Sequence, residues 1–70
     1  MDDRVNELVI AVYRHNGLLN ERLLPDGLRG VITAAERAGV IDADELDNEG
    51  WRVLRLTESG RKMVDGEEEV

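Results

Sequence analysis

A chain of 70 residues with no cysteine and a single histidine, His15, can bury one small core, but it has neither disulfides nor a set of metal ligands to staple it, so packing or self-association as a homodimer must hold the fold. No apolar run approaches the roughly 20 residues a membrane-spanning helix needs, and the start Met1-Asp2-Asp3-Arg4 lacks the basic and apolar stretches of a secretory signal, so the expected location is cytoplasmic. The formal net charge of −7 runs against the basic surface that phosphate binding normally requires.

The first predicted element is an amphipathic helix from Asp3 to about Asn16, on which Val5, Leu8, Val9 and Val12 recur at helical spacing with Tyr13 at the edge. Asp2 and Asp3 favour the positive end of its dipole, and Gly17 is its expected left-handed end. Ile10 falls off the apolar stripe, which leaves two readings open, an exposed apolar residue or a subunit contact. After Leu18 and Leu19, Asn20 is placed to cap a short helical turn through Leu24, which Pro25 closes.

Asp26 is placed to cap a third helix over 28–38, with Leu28, Val31, Ile32, Ala35 and Ala38 on one face and Gly39 at its end. The opposite face carries Arg29, Gly30, Thr33 and Arg37, with Glu36 at its margin. Residues 42–50 hold five acids and end in Asp47-Asn48-Glu49-Gly50, a reversing-turn composition, so a hairpin with a short, weak first strand is expected. Alternation in its second strand sets Trp51, Val53 and Arg55 on one side and Arg52, Leu54 and Leu56 on the other, making Leu54 and Leu56 the expected core contacts. Thr57 caps a last helix through about Val64, and residues 65–70 are too polar to pack and read as an acidic disordered tail, leaving 1–64 as the domain.

This order of elements resembles the small winged helix-turn-helix regulators over residues 5–64. The most specific pieces are Arg37-Ala38-Gly39-Val40-Ile41, similar to the exit of that family's recognition helix, and Leu56-Thr57-Glu58-Ser59-Gly60, similar to the strand exit after the wing. Both are architectural and bear on the fold, a mainly α, α+β domain of three helices, a two-stranded wing and a C-terminal helix. The resemblance implies that the third helix lies in a DNA major groove with Arg29, Thr33 and Arg37 against bases or phosphates, flanked by Arg52 and Arg55 of the wing.

The charge distribution qualifies that expectation in two directions. Of 16 acids, five lie in 41–50 and four in 65–69, so the remainder carries seven acids against all nine bases, a local excess of +2. Eight of the nine bases are arginine, which fits genome composition, adaptation to high salt, or selection for bidentate contacts. An acidic wing tip would be repelled by a phosphate backbone. The function expected first is therefore a transcriptional regulator that reads duplex DNA. The alternative is an acidic protein-interaction module on the same scaffold, gripping a basic protein surface with Asp42, Asp44, Glu45, Asp47 and Glu49. An enzyme is not expected: the carboxylates at Asp42, Asp44 and 67–69 sit in solvated segments, Ser59 has no motif around it, and Gly27 and Gly30 make no phosphate loop. No catalytic residue, cofactor or metal is assigned.

Overall fold

The computed structural model describes residues 3–68, and side chains through residue 66. Its elements are α1 (Asp3–Arg14), β1 (Leu18–Asn20), a 3-10 turn (Glu21–Leu23), α2 (Asp26–Arg29), α3 (Ile32–Arg37), β2 (Ile41–Leu46), β3 (Arg52–Leu56) and α4 (Glu58–Glu68). The strands form one antiparallel sheet in the order β1-β3-β2. This is an α+β arrangement of helices packed on a small antiparallel sheet.

Val5, Leu8, Val9 and Val12 are all buried, as the helical spacing of α1 requires. They meet Leu19 of β1, Ile32 and Ala35 of α3, Leu54 of β3 and Val64 of α4 in a core with no buried polar side chain among the described residues. Leu54 is fully buried and Leu56 half-buried against the same cluster. Ile10, off the apolar stripe, is half-buried and packs against this core.

The end of α1 carries two consecutive left-handed residues, Asn16 (φ 62°) and Gly17 (φ 81°), where one was expected. The Gly17 amide donates to Val12 O at 2.9 Å, and Gly17 O accepts from the Leu56 amide at 2.9 Å. That second bond starts β1, a strand with no counterpart among the elements expected from the sequence. Leu18, Leu19 and Asn20 pair with Arg55, Leu54 and Val53, and three residues are too few to show a period of two. Asn20 then caps the 3-10 turn, its side-chain oxygen accepting from the Arg22 amide.

The helix expected over 28–38 is two pieces. α2 begins one residue after Pro25, with Asp26 in its first turn rather than as its cap, and the path breaks between Gly30 and Val31 before α3 begins. Gly30 is a weak helix former, and Val31, Ile32 and Thr33 are consecutive β-branched residues, so the local cost of a break is low. Val31, Ile32 and Ala35 face the core as expected, whereas Ala38 is exposed.

The first hairpin strand is neither short nor weak: β2 has six residues and β3 five. Pairing along β3 overrides the poor strand propensity of its acids. Between Asp42 and Glu45 the register slips, three residues on β2 spanning two on β3, from Arg55 to Val53. Thr57 caps α4 with its hydroxyl accepting from the Gly60 amide at 3.1 Å. α4 continues to Glu68, past the expected end at Val64, so the expected tail is helical as far as Glu68, while Glu69 and Val70 lie outside the described residues.

Candidate nucleic-acid interface

Thr33 and Arg37 stand one turn apart on α3, and both are exposed. Neither side chain has a hydrogen-bond or ion-pair partner among the described residues. Ala34, next to Thr33 in sequence, is exposed as well.

Arg29 occupies a different environment. Its Nε and Nη2 donate to the Glu21 and Arg22 carbonyl oxygens at 3.3 and 3.1 Å, and its Nη1 meets Asp26 Oδ1 at 3.3 Å. The guanidinium carbon also lies 5.1 Å from the centre of the Trp51 ring. Arg29 thus satisfies carbonyls of the 3-10 turn and clamps that turn, α2 and the start of the hairpin together. Trp51 is half-buried beneath it.

Arg52 is held more firmly still. Glu21 Oε1 accepts from the Arg52 amide at 3.1 Å and from its Nε at 3.2 Å, while Oε2 accepts from Nη2 at 2.9 Å. Glu36 stands 3.9 Å from Arg52 Nη1 on the other side. The Glu21 side chain is only 14% exposed, and its hydrogen bonds from Arg52 hold its carboxyl below the usual carboxylate range despite the opposing cost of burial. Arg55, on the outer face of the sheet, donates to Glu45 Oε2 at 2.8 Å.

The five acids of 42–50 do not form a loop of free charges. Asp42 accepts from the Asp44 amide at the bulge, and Glu45 pairs with Arg55. Asp47 Oδ1 accepts from the Glu49 and Trp51 amides, each at 2.8 Å, and Oδ2 accepts from Asn20 Nδ2 at 2.7 Å. The Asn20 contact is the main cause of a lowered Asp47 pKa. Only Asp44 and Glu49 keep side chains without a partner among the described residues.

Of the five arginine and threonine positions expected to face DNA, the structure thus leaves Thr33 and Arg37 free and engages Arg29, Arg52 and Arg55 in contacts within the chain. Nothing in the sequence marks that division, because Glu21 and Arg52 are separated by 31 positions. His15 is exposed with Nδ1 2.9 Å from Ala11 O at the end of α1. Among the described residues no group of three or more His, Asp or Glu converges to hold a metal ion, and no helix is long and apolar enough to cross a membrane. No protein-family model, curated protein or solved structure matches the chain.

Proposed function

We propose that the protein is a winged helix-turn-helix regulator that binds duplex DNA through α3, with Thr33 and Arg37 entering the major groove. The observation that carries this reading is the free, exposed pair itself: in a chain where acids outnumber bases 16 to 9, Arg37 has no acid partner among the described residues and sits one turn from a hydroxyl. An arginine in that setting suits a guanine edge or a phosphate, and threonine suits a base edge or a thymine methyl. The order of helices and strands, with β3 between β1 and β2, is compatible with the winged-helix shape and supports the same reading. In it, Arg29 and Arg52 position the helix and hairpin, and the acidic turn at 47–50 stays off the backbone.

Such an interface neutralises few phosphates. With Arg37 as its one cationic contact, the interface gives a slope of about −1 in log affinity against log salt, since each neutralised phosphate contributes roughly 0.9. The test is fluorescence anisotropy of the full chain against pooled short duplexes at two salt concentrations, with Thr33→Ala/Arg37→Ala as the control. Salt-sensitive binding lost in the double variant is expected, and undetectable binding at the lower salt overturns the reading. The alternative, capture of a basic protein by the acids of 42–50, draws on fewer free groups than their number suggests, because Asp42, Glu45 and Asp47 are engaged internally. Asp44→Asn/Glu49→Gln separates the two: DNA binding should hold or strengthen, whereas a basic partner would be lost.

A further inference from the structure

We propose that the hollow between the end of α1 and the outer side of α4 is a binding site for a small molecule bearing a carboxylate or phosphate group. The hollow measures about 570 Å³ and is lined by Tyr13, Arg14, Asn16, Gly17, Arg61 and Asp65. That volume lies within the range of small-molecule sites, roughly 300–1,000 Å³. Its walls come from two distant parts of the chain. The left-handed pair Asn16 and Gly17 turns the chain out of α1, and the Gly17 carbonyl is tied to the Leu56 amide, which brings the start of α4 alongside.

The polar groups around this hollow set it apart. Arg14 and Arg61 are exposed, and neither guanidinium has an ion-pair or hydrogen-bond partner among the described residues. The Asn16 side-chain carboxamide and the Tyr13 hydroxyl are likewise without a partner among the described residues. Asp65 lies one helical turn from Arg61, at the spacing of a helix ion pair, yet makes none. Two guanidiniums lining one hollow repel each other unless an anion lies between them. An oxyanion there would accept from Arg14, Arg61 and the Asn16 amide, and Asp65 would accept from a hydroxyl or ammonium elsewhere on the same molecule.

The oxyanion could be carried by a free small molecule or by a DNA backbone, and Asp65 in the lining favours a free molecule whose own hydroxyl or ammonium group can meet it. The hollow adjoins the Leu56 end of β3, where Gly17 packs against Leu56. Its polar residues, Arg14, Asn16, Arg61 and Asp65, are distinct from Thr33 and Arg37, so the site does not depend on the DNA reading.

The test is a two-dimensional amide NMR titration of the full chain with inorganic phosphate, chloride holding ionic strength constant. Saturable shifts confined to residues 13–17 and 61–65 are expected, absent in Arg14→Gln/Arg61→Gln and tightened several-fold in Asp65→Asn, which removes the carboxylate that repels the probe. Shifts no larger than chloride alone produces, or shifts retained in the double variant, overturn the proposal. Should the double variant misfold, Asp65→Asn decides, since unchanged phosphate affinity in it also overturns the site. A short duplex that competes with phosphate for the same residues would assign the site to DNA and overturn the small-molecule assignment.

Discussion

Glu21 is one residue in a 3-10 turn, yet it accepts three hydrogen bonds from Arg52 and so fastens the segment after β1 to the start of β3. Glu21→Gln keeps the shape and weakens the charge-assisted bonds, at a cost of about 1–3 kcal/mol in urea unfolding at pH 7. Because the folded-state pKa is depressed below 4.5, the contribution is complete above that value and is lost as the pH falls through the lower one. The stability gap between wild type and Glu21→Gln should therefore close on acidification below about 4.5, and a gap that stays constant to pH 3 would contradict the linkage.

Two glycine positions give opposite outcomes for the same substitution. At Gly60, in the first turn of α4, a Cβ would lie 2.2 Å from Val40 O and 2.7 Å from Leu56 Cδ1. Relieving a backbone clash costs about 1–3 kcal/mol, more than the roughly 1 kcal/mol that alanine gains in a helix, so Gly60→Ala is expected to destabilise. At Gly30 the backbone is already right-handed helical and the space around a Cβ is open. Gly30→Ala should stabilise by about 0.4–1 kcal/mol, read as a higher melting temperature.

At the scale of elements, the hairpin depends on its turn. Residues 47–50 form a reversal in which the Gly50 amide donates to Asp47 O and Gly50 takes a left-handed φ of 90°. The Asp47 carboxylate holds the other side of that turn and, through Asn20, ties β1 to the hairpin. Asp47→Ala is expected to speed hydrogen exchange at the Glu49 and Trp51 amides while leaving α1 protected, and uniform acceleration would show that the turn does not open by itself. α4 is anchored at its start: the Thr57 amide and hydroxyl donate to Val40 O and Gly39 O, at 3.2 and 2.5 Å. This fastens the helix to the segment leaving α3.

For the whole molecule, net charge outweighs ion pairs. The Arg55–Glu45 and Lys62–Glu58 pairs are more than half exposed on both sides, and Asp26 in its pair with Arg29 is 96% exposed. Pairs of this kind contribute little, whereas a charge of −7 on 70 residues favours expansion until it is screened. Raising monovalent salt from 0.1 to 1 M shortens the screening length from about 10 to 3 Å. Stability should rise by about 1 kcal/mol, or roughly 4–8 °C in melting temperature for a domain this small. A fall would mean that the ion pairs dominate.

The sequence by itself determined what depends on local spacing: the buried stripe of α1, the Asn20 and Thr57 caps, and the burial of Leu54 are set by residues a few positions apart. It also set Arg29, Thr33 and Arg37 on one polar face, without marking which of them stays free. Only the tertiary structure decided what depends on partners far along the chain. β1 exists because Leu18, Leu19 and Asn20 find β3, and β2 reaches six residues because the same strand pairs with it. Arg29, Arg52 and Arg55 are taken up by carbonyls, an indole ring and carboxylates, while Arg14 and Arg61 meet at a hollow that no pattern in the sequence announces. Helical period and capping are properties of neighbouring residues, whereas strand pairing and the fate of a charge depend on which distant groups folding brings within a few ångströms.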